Sequence, residues 1–74
     1  MRALLRDIED GSLIVISVEH AFYDPGELEL YLYNSNDSYK ISRIVQSNAD
    51  ALISELYMNG KADFTLYSAE YNPQ

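Results

Sequence analysis

Residues 27–33 read Glu27-Leu28-Glu29-Leu30-Tyr31-Leu32-Tyr33, and this strict alternation of apolar and polar side chains predicts a β-strand. The turn-forming residues 34–37, Asn-Ser-Asn-Asp, lead into a second predicted strand from Ser38 to about Ile44. A hairpin that pairs Tyr33 with Ser38 aligns the apolar faces of the two strands. It places Leu32 opposite Tyr39, Leu30 opposite Ile41, Tyr31 opposite Lys40 and Glu29 opposite Ser42. The pattern therefore predicts both a hairpin and its register.

Upstream of this hairpin, residues 13–18 form a nearly continuous β-branched run, Leu-Ile-Val-Ile-Ser-Val, that is apolar on both faces. Such a run is typical of an interior strand covered on two sides, so we expect it at the centre of the sheet. Residues 23–26, Tyr-Asp-Pro-Gly, have the composition of a turn between this strand and the hairpin.

Downstream of the hairpin, the spacing of apolar residues predicts the main helix at about residues 48–58. Ser47 is the predicted N-cap, with Asp50 completing a capping-box-like pair, and Asn59-Gly60 ends the helix. The predicted apolar stripe comprises Ala49, Leu52, Ile53, Leu56 and Tyr57. A last strand near residues 62–68 is predicted to bury Phe64 and Leu66, and residues 70–74 are predicted to form a flexible tail.

The N-terminus has two readings. Met1, Leu4, Leu5 and Ile8 lie at helical spacing and Gly11 suits a C-cap, which favours a short helix over residues 1–10. In the alternative, Asp10-Gly11 is a hairpin turn that joins strand 3–9 to strand 12–19.

Together these elements predict a single small α+β domain over residues 1–74. We expect a two-layer sandwich, in which a mainly antiparallel sheet of four or five strands has the main helix across one face, with a short N-terminal helix on the favoured reading.

Charge is distributed unevenly along the chain. Its net charge is −7, and the stretch from Asp7 to Tyr39 contains eight carboxylates and no Lys or Arg. This acidity argues against direct binding of nucleic acid or anionic lipid, since both are polyanions. No apolar stretch has the length of a membrane span and no signal-peptide layout begins the chain, so we expect a cytoplasmic protein without a membrane partner.

Chemistry-bearing motifs are weak in this sequence. There is no Cys, and His20 is the single histidine, whereas a metal site needs several convergent ligands. We find no nucleophile elbow and no Gly-rich phosphate loop. We therefore predict no catalytic residue, no metal and no cofactor, and expect that the protein is not an enzyme.

The candidate binding surface combines acids with tyrosines. Predicted strand 27–33 turns Glu27, Glu29, Tyr31 and Tyr33 towards solvent, and tyrosine is enriched in binding interfaces. With Asp37 these are the central predicted partner-binding residues, and the remaining predicted partner-binding residues, at the edges and turns, are Asp24, Glu9 and Asp10. Carboxylates two residues apart on a strand are about 6.8 Å apart, close to the spacing of successive phosphates on a nucleic-acid strand. We therefore expect a module that binds a basic protein surface and blocks a nucleic-acid-binding site by mimicry.

In size, acidity and lack of catalytic residues, the chain resembles the small inhibitors that phages and mobile elements use against host nucleases, anti-CRISPR proteins among them. The resemblance rests on no specific motif, and it implies a nucleic-acid-handling enzyme as partner and the host cytoplasm as location. The alternative function is a structural or self-associating small protein, in which the apolar far side of the sheet or a free strand edge pairs with a second copy as a homodimer and acidity serves only solubility.

Overall fold

The computed structural model describes residues 1–73 and contains seven elements of regular structure. In chain order these are β1 (Arg2–Asp7), β2 (Leu13–Ser17), β3 (His20–Asp24), β4 (Glu29–Tyr33), β5 (Ser38–Ser42), α1 (Gln46–Asn59) and β6 (Lys61–Tyr71). The six strands form one sheet in the order β2-β1-β6-β5-β4-β3. The β1–β6 pair is parallel, whereas the other pairs are antiparallel. The prediction of a mainly antiparallel sheet of four or five strands in a two-layer sandwich is therefore wrong, because the sheet has six strands and is mixed.

The predicted hairpin is confirmed in its register. Tyr33 lies opposite Ser38, and the four further pairs match those expected from the alternation. Leu30, Leu32 and Ile41 are fully buried on the inner face, which explains the agreement, because a one-residue slip of either strand would turn its own buried side chains to solvent.

The N-terminal segment is a strand, so the favoured helix over residues 1–10 is wrong and the hairpin reading is the better one. β1 buries Ala3 and Leu5 with period two, and it pairs with β2 across the turn that contains Asp10-Gly11. Gly11 has φ +72°, a left-handed conformation that favours glycine. On its other side β1 pairs with β6, which lies nearly sixty residues away in sequence. This long-range pairing makes the segment a strand and not a helix.

The sheet curls so that its two edges meet at one corner. Edge strands β2 and β3 follow each other in the chain, separated only by Val18 and Glu19. At this corner the Val18 amide donates to the Met1 carbonyl (2.8 Å), and the Glu19 amide donates to the Tyr33 carbonyl (2.7 Å). One bent segment thus pairs with β1 in its first half and with β4 in its second half. Residues 13–18 are therefore at an edge of the sheet, and the prediction that they form its centre is wrong.

Helix α1 closes the core against β6 and β3. It buries Ala49 and Leu56 and packs Leu52 and Ile53 against the core, but Tyr57 is exposed, contrary to the predicted stripe. The helix begins two residues earlier than expected, and its N-cap is Val45 without a side-chain hydrogen bond, so the capping box at Ser47 is wrong. Gly60 ends the helix with φ 76°, as predicted.

Strand β6 is irregular and longer than expected. Its register with β1 shifts between the pairs Leu4–Asp63 and Arg6–Ser68. The extra residues change which side chains face the core, so that Phe64 is fully buried but Leu66 is 93% exposed, contrary to prediction. The strand continues to Tyr71. The predicted tail at residues 70–74 is thus wrong for its first two residues, and Gln74 lies outside the described residues.

Candidate functional site

The outer sides of β3 and β4 present a row of aromatic rings flanked by carboxylates. The rings of Tyr31 and Tyr33 are stacked at a centroid distance of 6.1 Å and an interplanar angle of 15°. Phe22 lies 6.3 Å from Tyr31, and His20 meets Tyr33 edge-on at 6.4 Å. We refer to this surface as the acidic aromatic face, defined by His20, Phe22, Asp24, Glu29, Tyr31 and Tyr33. Alternation along each strand puts these six side chains on one side of the sheet.

Hydrogen bonds hold the middle of this face in one arrangement. The Tyr31 hydroxyl donates to Glu29 Oε1 at 2.7 Å. This hydrogen bond to a carboxylate, together with partial burial, raises the pKa of Tyr31 to about 12. Lys40 lies 3.7 Å from the second carboxylate oxygen of Glu29 and 3.5 Å from Glu70. The ring and carboxylate at the centre of the face are therefore positioned before any partner arrives.

Glu27 does not lie on the strand where sequence reasoning placed it. Strand β4 begins at Glu29, and Glu27 lies in the preceding turn of residues 25–28. Asp24 holds this turn, because its Oδ1 accepts hydrogen bonds from the Gly26 amide (2.9 Å) and the Glu27 amide (3.3 Å). The spacing of about 6.8 Å for two carboxylates on one strand thus does not apply to Glu27 and Glu29, and the phosphate-spacing argument is wrong for this pair. The carboxylate that faces Glu29 across the strands is Asp24.

A second group of acids lies where the ends of β1, β5 and β6 meet. A shallow cleft of about 490 Å³, here called the acidic cleft, is lined by Asp7, Ile8, Glu9, Asp37, Tyr39, Glu70 and Tyr71. The Tyr71 hydroxyl donates to Asp37 Oδ1 at 2.7 Å, which raises the pKa of Tyr71. Burial, with the nearby charges of Asp37 and Asp7, raises the pKa of Tyr39. The structure thus brings the predicted residues Glu9 and Asp37 together.

Glu70 connects the acidic cleft with the acidic aromatic face, since it lines the cleft and also pairs with Lys40, which in turn pairs with Glu29. Of the other bases, Arg2, Arg6 and Lys61 belong to β1 and β6, and Arg43 follows β5. Among the described residues, those that define the face and line the cleft include six carboxylates and no Lys or Arg.

Asp10 lies outside both the acidic aromatic face and the acidic cleft, and its carboxylate is hydrogen-bonded within its own turn. It lies in the β1–β2 turn, and its Oδ1 accepts hydrogen bonds from the Ser12 amide (2.9 Å) and hydroxyl (2.7 Å), which lower the pKa of Asp10. This carboxylate stabilises the turn, although it still adds negative charge nearby.

Sequence reasoning missed Phe22, His20 and Glu70 as members of these surfaces. Phe22 and His20 were overlooked because residues 20–24 were not read as a strand. Phe22 and Tyr23, two residue types that favour strands, lie directly before the Pro25-Gly26 turn region, and this is the signal that extends the hairpin back towards His20. No local pattern identifies Glu70, because only the β5–β6 pairing brings it opposite Lys40.

Among the described residues, no group of three or more His, Asp or Glu side chains is arranged to hold a metal ion. Within residues 1–73 no helix has the length and apolar character to cross a membrane. Comparisons with protein-family models, with curated proteins and with solved structures found no match for this chain.

Proposed function

We propose that the protein is a small non-enzymatic binding module whose acidic aromatic face blocks a basic site on a nucleic-acid-handling partner. The observation that carries this proposal is the row of ordered aromatic rings at the surface, with Phe22 56% exposed beside the stacked pair Tyr31 and Tyr33. An exposed phenylalanine in an acidic surface gives no advantage in solubility. It supplies contact area that becomes buried when a partner binds.

The chemistry of the face suits arginine-rich surfaces. Carboxylates such as Asp24 and Glu29 accept hydrogen bonds from guanidinium groups, and aromatic rings stack against their flat faces. Because the hydrogen bond from Tyr31 to Glu29 already orients both groups, little conformational freedom remains to be lost on binding. The surrounding negative charge accelerates the encounter with a basic partner.

Nucleic-acid-binding grooves recognise two kinds of group, phosphates through Lys and Arg and bases through stacking on aromatic rings or guanidinium planes. The acidic aromatic face presents counterparts of both, carboxylates and flat rings, side by side on two strands. This similarity in chemistry supports mimicry without any requirement for a fixed phosphate spacing.

The test begins with capture of partners on immobilised protein at low and high salt, followed by affinity measurements on the captured protein. We expect Phe22→Ala to weaken binding at all salt concentrations, and Glu29→Lys to weaken binding and flatten its salt dependence. Glu55→Lys is the matched control, because it makes the same change of charge on α1, away from the face. A DNA oligonucleotide should compete with the protein for binding to the captured partner.

Unchanged affinity of both Phe22→Ala and Glu29→Lys would refute the acidic aromatic face as the binding surface. Partners that bind no nucleic acid, or that bind the protein and DNA simultaneously, would refute mimicry.

A further inference from the structure

Strand β2 lies at an edge of the sheet, yet its sequence is apolar and uncharged. Its sequence, Leu-Ile-Val-Ile-Ser, contains no charge, no Pro and no Gly, although it lies at the end of the strand order. On its outer side Leu13 is 55% and Val15 65% exposed, and on its inner side Ile14 and Ile16 are only partly buried. Edge strands of monomeric proteins usually carry a Lys, a Pro or a bulge that prevents pairing with another chain. β2 carries none of these.

The backbone of β2 offers a regular set of hydrogen-bonding groups. The Val18 amide donates to the Met1 carbonyl and the Asp7 amide to the Ser12 carbonyl, at the two ends of the β1–β2 ladder. Because antiparallel pairs alternate, Ile14 and Ile16 use their backbone groups towards β1, and Leu13, Val15 and Ser17 direct theirs to the open edge. The Ser17 carbonyl accepts a hydrogen bond from Asn34 Nδ2 at 2.8 Å and retains a second lone pair.

Charge selects which chain can pair there. Residues 11–18 form the longest stretch without a charged side chain, so two copies can pair along Leu13–Ser17 with no carboxylate inside the paired segment, despite a net charge of −7 on each. The other edge, β3, contains Asp24 and follows Glu19, so a pair formed there would include a carboxylate in the paired segment of each copy. Of the two edges, β2 is the one whose strand carries no charged side chain, which favours it for self-association.

We infer that two copies pair antiparallel through β2 across a two-fold axis, extending the sheet from one copy into the next. With Val15 opposite Val15 of the second copy, Leu13 faces Ser17 and Ile14 faces Ile16, so every residue of the strand has a partner. In this register the exposed side chains of Leu13 and Val15 lie on the outer side of the sheet, next to Ser17 and Val15 of the second copy. This inference is independent of the proposed function, because it uses neither the acidic aromatic face nor the acidic cleft.

Sedimentation velocity over a range of protein concentrations tests the pairing. We expect the wild-type chain to form a dimer. Val15→Lys should remain monomeric at concentrations at least tenfold higher than those at which the wild-type chain dimerises. Leu66→Lys is the matched control, since it places the same charge on a more exposed apolar residue of an interior strand and should leave the dimer intact. Far-UV circular dichroism of both variants checks that they fold.

Cysteine cross-linking tests the register, since the chain has no cysteine of its own. Hydrogen-bonded antiparallel partners have Cα atoms about 5.5 Å apart, within the range that a disulfide spans. Val15→Cys should therefore form a disulfide-linked dimer under mild oxidation, and Phe22→Cys on β3 should not. A wild-type monomer at all concentrations, a dimer that survives Val15→Lys, or equal cross-linking of the two cysteine variants would overturn the inference.

Discussion

Replacing Glu29 by Gln should lower the pKa of Tyr31, because the charged acceptor of its hydrogen bond is removed. In the native chain this 2.7 Å hydrogen bond, partial burial and the Glu29 charge together raise the pKa from 10.0 to about 12. In Glu29→Gln we expect a value between these two, since burial still raises it. At pH 11 a phenol with a pKa of 12 is about 10% ionised, and one with a pKa of 10 is about 90% ionised. The ring-carbon NMR signals of Tyr31 at pH 11, with circular dichroism to verify folding, report this difference.

The same shift makes stability depend on pH. Since the folded chain holds the Tyr31 proton more tightly than the unfolded chain, the stabilisation is fully present below pH 10 and is lost as pH rises towards 12. Glu27→Gln serves as the control, because Glu27 lies in the turn and makes no contact with the Tyr31 hydroxyl. A Tyr31 that is mostly ionised at pH 11 in the native chain, or that responds equally to both variants, would refute the proposed order of the acidic aromatic face.

Two further predictions concern stability. Phe64→Ala should lower the free energy of unfolding by about 3–5 kcal/mol, because the ring is fully buried. Urea denaturation measures this loss, and the control Leu66→Ala, at an exposed position, should change stability by no more than about 0.5 kcal/mol. Equal losses in the two variants would contradict the description of β6. Gly60→Ala should cost about 1–2 kcal/mol from its left-handed backbone alone, since no atom lies within 4 Å of an added Cβ; a melting temperature equal to that of the native chain would show that α1 does not end there in this conformation.

The β4–β5 hairpin is the part of the fold that sequence reasoning predicted best, and the reason is local. Its strands are joined by four residues, and one buried face with three large apolar side chains allows a single register. The end of α1 at Gly60 was predicted for the same kind of reason, because a left-handed C-cap is a property of one position.

Elements that depend on distant pairing could not be predicted in this way. The period of apolar residues in β1 fits a helix as well as a strand, and only the contact with β6 decides between them. Residues 13–18 have the composition of an interior strand, but the chain bends at Val18 and leaves them at an edge of the sheet. The exposure of Leu66 follows from the irregular β1–β6 register, which has no sequence signal.

For the candidate site, the acidic and aromatic residue types were predicted but their grouping was not. Glu29, Tyr31 and Tyr33 share a face because they belong to one strand, whereas Glu27 was separated from them by a turn. The strand to which Phe22 belongs was not recognised at all, which left its ring out of the predicted surface.

The acidic cleft depends on β6, although this strand contributes only one of the carboxylates that line it, Glu70. Ala69 of β6 lies opposite Asp7 on one side and opposite Ile41 on the other, so this strand joins β1 to β5. Through that double pairing the acids at the end of β1 come to line one cleft with Asp37, which precedes β5. The stretch from Asp7 to Tyr39 is thus continuous in sequence, but the carboxylates at its two ends line one cleft only because a strand from the other end of the chain inserts between them. The order of strands in the sheet is therefore what gathers the acids at the two ends of this stretch into one cleft. Any change that displaces β6 should disperse the acidic cleft before it alters the locally formed acidic aromatic face.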